Sequence, residues 1–137
     1  MAAAFLTLVW LLPGAVQDWR SREVDHGWIE IALLFGLLWR LTGRAVGSWW
    51  EVLVILFLLV LGYRCRWVGG ADVRATLAIA LLSVPLSIWA WEGLVLWALV
   101  LRISYQKAAR QNLPGLVGFS IGVAAWLVLN GLFYGKA

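Results

Sequence analysis

The chain has 137 residues, 64% of them hydrophobic, and a mean hydropathy of +0.89. Soluble domains carry roughly 45–50% apolar residues, so an ordinary soluble core is excluded and the expected class is all-α: a polytopic membrane helical bundle forming one unit over residues 1–137. The single Cys65 excludes an internal disulfide and the single His26 a histidine-rich metal site, and the net charge of +4 is an orientation signal and a bias toward anionic headgroups rather than a nucleic-acid footprint; no cofactor and no metal are expected.

Six apolar segments follow in chain order. The first runs from about Ala2 to Gln17. It lacks a basic n-region, and Gly14-Ala15-Val16 is a weak cleavage pattern, so it reads as a span rather than a removable signal. The second runs from Trp28 to Leu41, the third from Trp49 to Tyr63, and the fourth from Asp72 to Pro85. The fifth covers Leu86 to Ile103 and the sixth Pro114 to Tyr134. Most are shorter than the roughly 20 residues of an ordinary bilayer crossing. Five spans, with Ala75 to Leu101 as one long broken helix, is the alternative; Pro85, flanked by Ser83 and Ser87, favours a break there and hence six.

With the N-terminus outside, eight of the eleven basic residues fall in cytoplasmic segments: Arg20, Arg22, Arg64, Arg66, Arg74, Arg102, Lys107 and Arg110. Arg40, Arg44 and Lys136 remain outside. This asymmetry follows the positive-inside rule. Many of the 11 Trp residues flank the segments, as interfacial anchors do.

Two acids stand at segment ends inside short polar signatures. Asp18 opens the stretch DWRSREVD, and Asp72 ends GGAD and opens the fourth segment. The charge asymmetry assigns both to the cytoplasmic side. A carboxylate beside hydrocarbon is costly, which makes each a functional candidate. Taken singly, each also reads as a helix-terminal acid, and Asp72 as one favoured by the dipole of the helix it begins. Two acids on one side suit chemistry that needs a pair, one activating water and one polarising a carbonyl.

The GGAD stretch, Gly69, Gly70, Ala71 and Asp72, resembles the G-x-G-D signature of membrane-embedded aspartyl proteases, with Ala71 in place of the second glycine. The stretch QDWRSREVDHGWIEI resembles the segment after the first helix of type IV prepilin and preflagellin peptidases, through Asp18, Arg20, Arg22, Glu23 and Val24. Asp25 and His26 stand where that family commonly has Pro followed by Asn or Asp. The order also agrees: in the family one aspartate ends the first helix and the other opens the fourth. The stretch LPGLVGFSIG is only poorly similar to the start of the family's last helix.

The resemblance implies a prokaryotic cytoplasmic-membrane endopeptidase that removes the leader of pilin-like or archaellin-like precursors at the cytoplasmic face. Asp18 and Asp72 would be the catalytic pair, with Gly69, Gly70, Ala71, Arg20 and Arg74 in support and Glu23 and Asp25 offering negative charge to a basic leader. No metal is implied. With one cysteine and no long loop after the first segment, the methyltransferase activity of larger relatives is not implied either. His26 reads as an interfacial polar residue. The competing readings are a non-catalytic membrane subunit or small proton-coupled transporter using the same acids, and a family member that binds without cutting.

Overall fold

The computed structural model describes residues 2–21, 25–66, 68–104 and 115–134. These form six helices: α1 (Ala2–Ser21), α2 (His26–Leu41), α3 (Trp49–Arg64), α4 (Gly70–Leu82), α5 (Val84–Ser104) and α6 (Gly115–Tyr134). Among the described residues there is no strand, only an isolated bridge between Val46 and Ser83. The all-helical class and the six-element order follow the sequence expectation. Two boundaries differ in ways that matter. α1 continues four residues past Gln17, so Asp18, Trp19 and Arg20 belong to its last turn. The break between α4 and α5 falls at Ser83, which is extended (φ −162°, ψ 117°), and Pro85 sits in the first turn of α5, where its missing N–H costs nothing.

Two compact units divide at the first turn of α5: one of Met1–Glu23 with Ile88–Ala137, the other Val24–Ser87. In the second unit α2 and α3 both pack on α4. Small residues make this close packing feasible. A Cβ on Gly36 of α2 would lie 2.9 Å from the Ala78 carbonyl oxygen and 3.0 Å from Leu81 Cβ. Val52, Leu81 and Val84 form a buried cluster, with Leu33, Ile55 and Leu77 against it. α3 starts on a capping box: the Ser48 hydroxyl accepts from the Glu51 N–H, and the Glu51 carboxylate accepts from the Ser48 N–H.

The most unusual core group of this unit is Arg40, only 5% exposed. Its guanidinium donates to the carbonyls of Leu81 (2.9 Å), Ala80 (3.0 Å), Gly47 (3.0 Å) and Val46 (3.4 Å), and lies 5.3 Å from the Trp49 ring centroid. Carbonyls in the last turn of a helix lack intrahelical partners, and Arg40 supplies donors to two of them in α4. The sequence reading of Arg40 as an outer-side basic residue omits this inward role.

In the first unit α1 packs along α6. The stripe Ala4, Thr7, Leu11, Gly14 and Ala15 is buried, a helical periodicity. α5 meets α6 at glycines: a Cβ on Gly118 would lie 2.6 Å from Leu94 Cα, and one on Gly122 would overlap the Trp89 carbonyl. Trp91 packs edge-on to Phe119 at 5.5 Å. Thr7 and Ser120 donate to carbonyls four residues back, so neither buried hydroxyl lacks a partner.

By length and hydropathy, α1 and the stretch Gly115–Leu132 of α6 are candidate membrane spans. α2, α3 and α4, with 16, 16 and 13 residues, are shorter than the roughly 20-residue crossing. α3 nonetheless turns large apolar side chains outward, with Trp50 73% and Phe57 67% exposed.

Candidate active site

Asp18 is half-buried on the last turn of α1. Its Oδ2 accepts a hydrogen bond from the backbone N–H of Leu116, 3.1 Å away, in the first turn of α6. A helix N-terminus presents unpaired N–H groups and a partial positive charge, which suits a carboxylate. Beside it Trp19 packs on Trp97 of α5, ring centroids 6.0 Å apart. Arg20 is exposed and lines a groove between α1 and α6.

Asp72 is half-buried in the first turn of α4, three residues after the N-cap Gly69. Gly69 has no side chain with which to cap, and the carboxylate folds back over it: a Cβ on Gly69 would stand 3.2 Å from Asp72 Oδ2. Gly70 has more room, its nearest neighbour being Tyr63 Cε2 at 3.7 Å. Ala71 is half-buried. Thr76 donates back to the Asp72 carbonyl at 2.7 Å, tightening the same turn.

Arg74 is exposed, and its Nη1 meets Nδ1 of His26 at 3.1 Å. That contact joins the N-terminal parts of α4 and α2. His26 therefore has a role as a helix-to-helix partner that its reading as an interfacial polar residue did not contain, and no local sequence signal pairs positions 48 residues apart. Asp25 is the N-cap of α2; its Oδ1 accepts from the Gly27 N–H at 2.9 Å. Local capping thus accounts for an acid where the resembling family commonly has proline. Glu23 lies outside the described residues, as do Arg22, Lys107 and Arg110. The partnership of Asp18 with the start of α6 was also missed; the only cue was the Pro114-Gly115 pair, a helix-start signal.

Chemically, each unit presents one carboxylate at a helix terminus, half-shielded from solvent and set in a polar turn. Each carboxylate is able to hold a water molecule or exchange a proton with one.

Comparison with known proteins identifies a family. The type IV leader peptidase family matches residues 5–105, a stretch containing both Asp18 and Asp72. No curated protein and no solved structure matches the chain significantly. With the family pattern covering most of its length, the chain belongs to the type IV leader peptidase family.

Proposed function

We propose that the protein is a membrane-embedded aspartyl endopeptidase that removes the leader from pilin-like or archaellin-like precursors at the cytoplasmic face of a prokaryotic cell membrane, with Asp18 and Asp72 as its catalytic pair. The observation carrying this reading is the family match across both acids. The family is one of peptidases acting on pilin-type precursors. The pairing is supported by the half-buried helix-terminal setting of each carboxylate and by the basic bias of the segments around them. Outward apolar side chains on α3 and the two candidate spans suit a multi-pass chain whose shorter helices sit in locally thinned lipid.

In the proposed reaction the ionised member of the pair takes a proton from water, and the resulting hydroxide adds to the scissile carbonyl carbon. The protonated member donates to the carbonyl oxygen. Collapse of the tetrahedral intermediate breaks the C–N bond, with a proton passing to the leaving amine. Arg20 and Arg74 serve as supporting residues at the two acids' helix ends, and Glu23 and Asp25 as contacts for the leader.

The test is incubation of the purified protein, in detergent or lipid, with a type IV prepilin, read by gel shift and N-terminal sequencing of the product. Asp18→Asn and Asp72→Asn are each expected to abolish leader removal while the protein still inserts. Full cleavage by either variant overturns the paired-acid mechanism and favours a binding or proton-relay role for that acid.

A further inference from the structure

The contact between Arg74 and His26 can run in one direction only. A guanidinium has N–H donors and no acceptor, so at 3.1 Å it is Nδ1 of His26 that accepts. A ring nitrogen accepts only when it carries no proton, which fixes this imidazole as the neutral Nε2–H tautomer. A protonated ring has N–H on both nitrogens and a positive charge, so it loses the acceptor and faces a like charge. Imidazole is the side chain whose charge ordinarily changes between about pH 5 and 8.

The position of the contact decides what it holds. His26 is the first residue of α2, and Arg74 follows Asp72 and Val73 in the N-terminal part of α4. Near the other end of α2, Arg40 donates to the carbonyls of Ala80 and Leu81 at the end of α4. Between them Gly36 packs closely on Ala78 and Leu81. α2 therefore grips α4 at both ends, by a guanidinium on neutral carbonyls at one and by an imidazole at the other. A guanidinium stays protonated, so the Arg40 end is indifferent to pH and the His26 end is not. The charged groups on the elements packed here are Asp25 and Glu30 with α2, Asp72 and Arg74 in α4, and Glu51 and Arg64 in α3, with the phenol of Tyr63 beside Gly70. Among the described residues, Arg74 is the one hydrogen-bonded to the His26 ring. Asp25, its neighbour in the chain, has Oδ1 engaged by the Gly27 N–H.

We propose that His26 is a positioning residue for the Asp72 end of α4: through Arg74 it forms a latch that holds while the imidazole is neutral and opens when the ring takes up a proton. Opening frees the head of α4, which carries Asp72, while Arg40 keeps the far end in place. The latch stands on the contact alone. Its consequence for cleavage rests on the leader-peptidase reading above, in which Asp72 must be held where the scissile bond arrives.

The test uses the full chain in lipid nanodiscs with isotope-labelled histidine. His26 is the single histidine, so the ring nitrogen shifts report its tautomer and its protonation without ambiguity. On the alkaline side of the titration recorded in this way, Nδ1 is expected to be unprotonated and Nε2 protonated, and Arg74→Leu is expected to remove the hydrogen-bond shift at Nδ1. Hydrogen exchange in the same sample is expressed as protection relative to the unfolded chain at each pH. Protection of the backbone amides of residues 74–76 is expected to fall about tenfold when the ring is protonated, whereas that of residues 80–82, beside the Arg40 contacts, is expected to hold. His26→Asn offers an acceptor oxygen at every pH and is expected to keep residues 74–76 equally protected on both sides. An Nδ1–H tautomer on the alkaline side, or equal protection of residues 74–76 in wild type on both sides, overturns the latch. Prepilin cleavage reads the consequence. The ratio of kcat on the alkaline side to kcat on the acid side is expected to be about threefold to tenfold larger in wild type than in His26→Asn. Both proteins carry the same two acids, so the pH dependence of those acids divides out. Equal ratios overturn the positioning role. If wild type cuts no prepilin, it is the leader-peptidase reading that fails, and the ring shifts and exchange still decide the latch.

Discussion

The Asp18 carboxylate at the end of α1 accepts the backbone N–H of Leu116 at the start of α6, across 98 positions of sequence. An acid proposed for catalysis therefore also serves as a cap for another helix. The two roles separate by substitution. Asn keeps an acceptor oxygen but cannot take up a proton at neutral pH, whereas Ala removes both.

Asp18→Asn is expected to lower leader cleavage by about 10³-fold, within the usual range for loss of a general acid or base, with a melting temperature near wild type. Asp18→Ala is expected to be as inactive and in addition less stable by about 1 kcal/mol, the usual cost of a lost cap. Parallel activity assays and thermal unfolding in detergent check both. An active Asp18→Asn with an unstable Asp18→Ala would reduce Asp18 to the cap alone.

Arg40 makes the corresponding structural case. Its guanidinium is buried and serves four carbonyls, two of them at the end of α4. Arg40→Leu leaves those acceptors without the donor and is expected to destabilise the protein by about 3 kcal/mol. Arg40→Lys is expected to recover little of this, because an ammonium places three donors around one point and cannot span four separated oxygens. Denaturant or thermal unfolding of the two variants measures the difference.

What the sequence made legible, and what it did not, follows from the range of each interaction. Apolar runs bounded by Arg, Gly and Trp are local, and they located all six helices. The extension of α1 through Asp18-Trp19-Arg20 was hidden because that polar cluster reads as a loop; Arg20 in a final turn is favoured by the helix dipole, so the helix continues. The α4 break was expected at Pro85, yet it lies at Ser83, because proline is tolerated in a first turn and it is Ser83 that adopts extended backbone. The α4 partners of Arg40 are 40 and 41 residues away and the α6 partner of Asp18 is 98 residues away, and no periodicity encodes such pairings. Residue type and order singled out the two acids and the GGAD motif as candidates, whereas the capping role of Asp25 and the His26–Arg74 contact needed the fold.

The glycines of α6 yield a contrast within one helix. A Cβ at Gly118 would come within 2.6 Å of Leu94 Cα, which is backbone and cannot swing aside, and Gly122 is similarly closed by the Trp89 carbonyl. Gly131 has nothing within 4 Å. Gly118→Ala and Gly122→Ala are expected to force α5 and α6 apart and to destabilise by about 1–3 kcal/mol, the range for overpacking. Gly131→Ala is expected to stabilise by about 0.5–1 kcal/mol through the helix propensity of alanine. Melting temperatures of the three variants carry the test.

The two glycines before Ala71 are expected to differ in kind. Gly69 is the N-cap of α4, with ordinary φ −74° and ψ 155°, so alanine there meets no backbone strain. What it meets is the Asp72 carboxylate, 3.2 Å from the added Cβ, a spacing that obliges the side chain to move. Gly70 would place its Cβ 3.7 Å from Tyr63, an ordinary contact. If Asp72 acts in catalysis, displacing its carboxylate by a few tenths of an ångström is costly to rate and not to fold. Gly69→Ala is then expected to lower kcat about tenfold to a hundredfold with an unchanged melting temperature, and Gly70→Ala to cut as wild type does. Steady-state cleavage of a prepilin by the two variants distinguishes them. Equal activity in both would mean that the position of the Asp72 carboxylate does not limit the reaction, which removes the geometric reason for glycine at the head of this motif.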